Sequence, residues 1–240
     1  MRQSLYDSMS LMDLMIDCVK LGITNCWIIK ENGNTILVDS GVSRSISKLQ
    51  KKLNNLGIEK DSVAALIQTH CHFDHIGLSA RIKEYTKCKI IVNKSEASWI
   101  TGRDKPVPGG FNRWGRVLNR MMNAWVPRMD IQPFEGDILQ EGELDLGEYG
   151  IEGKIIHTPG HTIGSSSVVL DSGEAFVGDL AMSGLPKIIG KGTPMLGDDL
   201  SMIYQNWEKL IGLGISKIYP GHGKPFDVAV LENILENRQE

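Results

Sequence analysis

Basic surplus, paired cysteines and long apolar runs are all missing from this sequence, and each absence excludes a class of protein. Lys+Arg 26 against Asp+Glu 29 leave a net charge of -3, so a dedicated nucleic-acid binder is not expected. No apolar run approaches a membrane span, so no membrane partner is expected either. The four cysteines, Cys18, Cys26, Cys71 and Cys88, form no CxxC pair and no zinc-finger spacing. Residues 1–20 carry Asp7, Asp13 and Asp17 and lack the basic start and apolar block of a signal peptide. The expectation is a cytoplasmic chain with reduced thiols. Cys18 and Cys26 lie among apolar strand residues and read as small core side chains.

What is present is an ordinary globular composition, 41% hydrophobic and 23% charged, over 240 residues. Strand-like and helix-like segments alternate, which predicts an α/β protein. Short strands are expected at 18–20, 25–30 and 35–38, the last ending in Asp39-Ser40-Gly41. A helix follows on Val42, Ile46, Leu49, Leu53 and Leu56, and Gly57 stops it. A buried strand at 63–67 delivers the chain to Thr69-His70-Cys71-His72-Phe73-Asp74-His75. Further on, Asp198-Asp199 caps a helix carrying Ile203, Trp207, Leu210 and Ile211, and a strand at 217–219 leads to Pro220-Gly221-His222. Each half thus places a strand, an aspartate, then a helix. One domain over 1–240 is expected, with a helical insertion at about 95–128.

Of only six histidines, three fall in His70-x-His72-x-Asp74-His75, just beyond a strand end where sites in α/β sheets gather. His161, Asp179 and His222 each follow an apolar stretch and an immediately preceding glycine. Glycine lets backbone approach an ion or take a strained turn. Imidazole and carboxylate are ligands that zinc accepts, and ionisable groups buried together without a metal would be costly. Seven such side chains exceed what one tetrahedral ion uses but suit two ions sharing a carboxylate and a hydroxide.

This ordered set resembles the metallo-β-lactamase superfamily, whose signature is an early aspartate, HxHxDH, a lone histidine, a lone aspartate and a last histidine. Asp39, His70, His72, Asp74, His75, His161, Asp179 and His222 match every element. The resemblance implies an αββα sandwich with two metal ions at one edge. His70, His72 and His161 would hold the first ion; Asp74, His75 and His222 the second; and Asp179 would bridge them. The ions would be zinc, with iron or manganese as acceptable substitutes. Asp74 and Asp179 would carry catalysis, Asp74 by orienting the hydroxide, and Asp39 would brace the histidine loop or act as a helix N-terminal acid. The implied activity is hydrolysis of an ester-like bond in a small-molecule substrate: a thioester, lactone, lactam or phosphodiester. A mononuclear iron dioxygenase of the persulfide type and a non-catalytic metabolite-binding member are the alternatives. His157 reads as a strand-end residue near the site, and Cys71, alternating with ligand histidines, as pointing away from it.

The most individual feature is a helix at 113–126, whose Trp114, Val117, Leu118, Met121, Met122 and Trp125 form one apolar stripe flanked by Arg113, Arg116 and Arg120. It is read foremost as a packed helix with a basic edge. It is read also as a substrate lid of Arg113, Trp114, Arg116, Met121 and Trp125 hinged near Gly109-Gly110, or as a homodimer contact. Residues 181–197 are expected to form a loop bordering the pocket, with Leu185, Ile188, Ile189 and Met195 selecting by shape.

Overall fold

The protein is described by a computed structural model over residues 14–42, 45–101, 104–183 and 191–238. The readings made on Asp7, Asp13, Leu185, Ile188 and Ile189 lie outside the described residues.

Two six-stranded mixed sheets face each other. In the first, β1 (Met15–Leu21), β2 (Thr24–Glu31) and β3 (Asn34–Val38) form an antiparallel meander. Then β4 (Val63–Ile67), β5 (Lys89–Asn93) and β6 (Ile138–Gln140) extend it in parallel. The second sheet runs β7 (Leu144–Asp145), β8 (Gly153–His157), β9 (Ser166–Leu170) and β10 (Glu174–Gly178), all antiparallel. It continues through β11 (Lys217–Pro220), parallel to β10, and ends at β12 (Phe226–Asp227).

Period-two alternation sorts the side chains into layers. Trp27, Ile29, Ile36, Val38, Ala65 and Ile67 meet Ile155, Val168, Leu170, Phe176 and Tyr219 between the sheets. Their neighbours Cys26, Ile28, Leu37 and Leu66 point outward, onto α1 (Ser47–Asn55), α2 (Phe73–Ile76) and α3 (Ser79–Thr86). On the far side Ile156, Val169, Ala175, Val177 and Ile218 pack on Ile203, Trp207 and Leu210 of the helix 200–212 and on Leu231 of the helix 229–236. The molecule is therefore an αββα sandwich with three apolar layers. The helix 113–125 is α4 (Arg113–Trp125), so the other two are α5 (Leu200–Gly212) and α6 (Ala229–Glu236).

Two expected bounds shift. The first two strands are longer than the expected 18–20 and 25–30, because they form one hairpin paired from Met15–Lys30 to Leu21–Thr24. The first helix begins at Ser47 rather than Val42, since the Val42 amide donates instead to the Leu21 carbonyl at 2.8 Å.

Strand direction places the site. β4 is parallel to β3 and β11 to β10, while β8 and β10 are both antiparallel to β9. The C-terminal ends of β3 and β4, and of β8, β10 and β11, therefore each share one end of their sheet. Hydrogen bonds join these two ends into one rim: Asn25 N–H to the Gly221 carbonyl at 2.8 Å and Ser166 N–H to that of Thr69 at 2.8 Å.

Candidate metal centre

Five loops leave that rim, and each delivers its ligand-type residue by an identifiable local device. Asp39 sits just past β3 with φ 61°, a left-handed conformation that Asp tolerates better than most residues. Its carboxylate accepts from the Thr69 amide at 2.9 Å, from the Thr69 hydroxyl and from His75 Nδ1 at 2.8 Å. It is fully buried and braces the histidine loop. Asp179 follows Gly178, whose φ is 52° and where a Cβ would fall 2.2 Å from Thr69 Oγ1. At Gly221, before His222, a Cβ would lie 2.6 Å from the His75 ring and 2.7 Å from Asp179 Oδ1. Only glycine permits these two approaches.

All seven side chains matching the sequence pattern are buried and converge. Their donor atoms fall into three groups, each within 4.8 Å: His70, His72 and His161; Asp74, His75 and His222; and His70, His75 and Asp179. His72 Nδ1 and His161 Nε2 are 3.1 Å apart. Asp179 Oδ2 is 3.4 Å from His222 Nε2 and 3.7 Å from His161 Nε2, while its Oδ1 is 3.4 Å from His75 Nε2. Two nitrogens each at roughly 2.0–2.1 Å from a tetrahedral ion are separated by about 3.3 Å, so this spacing fits shared metal ions.

The outward ring atoms fix which nitrogens face inward. His75 Nδ1 is engaged by Asp39, His161 Nδ1 by the Leu196 carbonyl at 3.0 Å and His222 Nδ1 by the Ile23 carbonyl at 3.1 Å. Each such bond orients the ring and leaves Nε2 for the centre. His70 Nε2, His75 Nε2 and Asp179 Oδ1 are buried without any hydrogen-bond partner. Orphaned polar atoms of this kind are rare in native interiors and call for an ion.

Electrostatics agree with that need. Burial and neighbouring histidines hold His70 well below the ordinary imidazole range, and burial chiefly holds His72 down at about 3. Burial also lowers His161. These rings are neutral and able to donate lone pairs. At His75 burial opposes the charged form, yet the carboxylates of Asp39, Asp179 and Asp74 raise it well above its usual value. Burial likewise opposes the ionised form of Asp179, but His222 and His75 hold it well below the carboxylate range. Three carboxylates, Asp39, Asp74 and Asp179, thus face these histidines, and their negative charge favours a positive partner, whether a proton on His75 or a bound cation.

His157 and Cys71 sit as expected, and some residues went unforeseen. His157 gives its ring nitrogen to the Ile163 carbonyl at 2.8 Å and stays at its strand end. Cys71 faces the outer apolar layer, where burial and Glu96 push its thiol up well above the ordinary value. Glu96 was not foreseen. Buried, it accepts from the Cys71 amide at 2.5 Å, the Thr162 hydroxyl and the Gly164 amide at 3.0 Å, tying the loop of His70 to that of His161. A lone glutamate in an irregular segment carries no periodic or motif signal. Trp99 stacks on His72, ring centroids 6.0 Å apart and 8° from parallel.

A cavity of about 510 Å³ opens over the cluster, with His72, Asp74, His161, Asp179 and His222 in its floor. Its walls are apolar: Leu118, Met122 and Trp125 from α4 face Ile23, Phe73, Met182, Met195 and Leu196. The reading of α4 as a packed helix holds in part: Met122 packs on the outer core cluster and Trp125 meets Phe73 edge to face, but only Gly115 is buried and the rest of the stripe borders the cavity or solvent. Of the five residues named for a lid, Trp125 alone lines the cavity, while Arg113, Trp114, Arg116 and Met121 are exposed. Nor is Gly109-Gly110 a free hinge. Gly197 N–H donates to the Gly109 carbonyl at 2.9 Å and Phe111 N–H to that of Met195 at 3.0 Å, clipping the two cavity walls together.

The profile of the metallo-beta-lactamase superfamily matches residues 19–222, and the chain belongs to that superfamily. It is 31% identical over 206 residues to the probable metallo-hydrolase MJ0888 of Methanocaldococcus jannaschii, covering 84% of this chain and 88% of that protein. Among solved structures it resembles ST1585, an archaeal metallo-beta-lactamase superfamily protein from Sulfolobus tokodaii, with TM-score 0.69 at 21% identity over 94% of this chain and 86% of that one. It also resembles the BLEG-1 B3 metallo-beta-lactamase, with TM-score 0.67 at 21% identity over 90% of this chain and 95% of that one. No helix among the described residues is long and apolar enough to cross a membrane.

Proposed function

We propose that this protein is a metal-dependent hydrolase that cleaves an ester-like bond of a small molecule at a two-ion centre. The observation that carries this reading is the set of buried atoms without a hydrogen bond, His70 Nε2, His75 Nε2 and Asp179 Oδ1, lying among two further three-residue donor groups. His70, His72 and His161 would hold one ion, Asp74, His75 and His222 the other, with Asp179 shared. An imidazole and carboxylate set suits zinc first, and accepts iron or manganese. Divalent ions bound there supply Lewis acidity, making water acidic near neutral pH and polarising a carbonyl or phosphoryl oxygen.

The chain's own residues do the rest. Asp39 and the carbonyls of Leu196 and Ile23 hold three rings in register, so little reorganisation is needed during reaction. Asp74 borders the cavity, 3.2 Å from His222 Nε2 and 3.4 Å from the Thr24 hydroxyl, and is the carboxylate placed to orient attacking water and receive its proton. The apolar walls keep bulk water from the reacting bond. No protein nucleophile is required, since Cys71 points into the core.

Elemental analysis of purified protein, paired with a screen of thioesters, lactones, lactams, esters and phosphodiesters, tests the reading. Two ions per chain and turnover of one such class are expected. One iron per chain with oxygen consumption would replace hydrolysis by dioxygenation.

A further inference from the structure

Resting on that hydrolytic reading, we infer the substrate class of the same site: an anionic amphiphile, its apolar chain held against α4 and its charged end at Lys20. The cavity floor is polar and metal-binding in character, but the walls above it are chiefly hydrocarbon or thioether, from Leu118, Met122, Trp125, Met195 and Leu196, with Lys20 and Ser183 as their polar side chains. A polar substrate would leave its groups unpaired against those walls, at a cost that a hydrocarbon chain avoids. Outside the donor cluster, the one charged side chain in the lining among the described residues is Lys20, a cation.

The surface around the mouth repeats the same preference. Of nine large apolar side chains standing exposed among the described residues, Ile23 and Trp125 line this cavity, and Trp114, Val117 and Met121 continue outward along α4. Single exposed apolar residues are ordinary, whereas a gathered group marks a place where apolar matter is received. Helix α4 itself carries Arg113, Arg116 and Arg120 and no acid, in a chain whose net charge is -3. That local positive field favours a negatively charged ligand and hastens its approach.

Binding of straight-chain alkanoates and alkyltrimethylammonium ions from four to twelve carbons, read by titration calorimetry on the purified holoprotein, tests this without turnover. Alkanoate Kd is expected to fall about fourfold per added methylene until the cavity is filled. Ammonium ions of equal length should bind more weakly, and Lys20→Glu should narrow that difference. Leu118→Asp should flatten the chain-length dependence. Ile23→Asp, an exposed position across the mouth where folding is not at stake, should flatten it in part. A Kd indifferent to chain length, or a dependence unchanged in both aspartate variants, overturns the inference. Equal affinity for the two charges overturns its anionic part. Chain-length-dependent binding in a protein that hydrolyses nothing would remove the hydrolytic reading instead.

Discussion

The two halves of the molecule run the same course to different ends. In the first, β3 leads to Asp39, then α1, then the parallel β4 and the loop of His70; in the second, β10 leads to Asp179, then α5, then the parallel β11 and His222. Asp39 and Asp179 occupy corresponding turns with a left-handed residue at or next to the aspartate. Their surroundings differ. Asp39 has both oxygens committed, to the Thr69 amide and hydroxyl and to His75. Asp179 keeps Oδ1 without a hydrogen bond. One topological position therefore carries a saturated, bracing carboxylate in one half and, in the other, a carboxylate with an oxygen left for the proposed ion, depending on whether the adjoining loop offers donors to saturate it.

Breaking the comparison at its functional end should have the largest effect. Asp179→Ala removes the shared carboxylate, and is expected to lower turnover by more than about 100-fold, beyond the usual 10–100-fold of a bracing residue. It should also lower the metal content measured on the same sample. Full activity with unchanged metal would contradict the shared-ligand role. Asp39→Asn should cost roughly 10–100-fold in metal affinity, followed by competition with a chelator, while saturating metal restores the ion count. If Asp39→Asn matched Asp179→Ala in both readouts, the distinction between brace and ligand would fail.

The smallest effect sharpens the seam between the halves. Glu96→Ala leaves the amides of Cys71 and Gly164 without their acceptor, at about 1–3 kcal/mol for a buried donor. Denaturant unfolding should report that loss, and a midpoint equal to the parent's would show that Glu96 ties nothing together.

Much of the site was legible because its residues are chemically expensive to bury for any other purpose. His70-x-His72-x-Asp74-His75 after a strand at 63–67 announced itself, and β4 spans those same residues. The helix at 113–126 was also legible in extent, ending one residue earlier in the structure. Its setting was not, because a 3.6-residue period reveals an apolar arc without revealing what lies opposite. Trp114, Val117 and Met121, read as part of a packing stripe or, for Trp114 and Met121, a lid, stand in solvent. Glu96 was illegible for the opposite reason: its partners are two backbone amides and a hydroxyl from loops far along the chain, and such contacts leave no local trace.

The Pro220 carbonyl accepts from both Asn25 Nδ2, at 2.9 Å, and Trp27 Nε1, at 3.1 Å. This staple joins a hairpin of the first sheet to a turn of the second almost two hundred residues further along. Asp74 and His75 lie on one side of that joint and His222 on the other, so their group closes only where the two sheets are held together. The grip on any ion in that group is thereby tied to the closure of the sandwich.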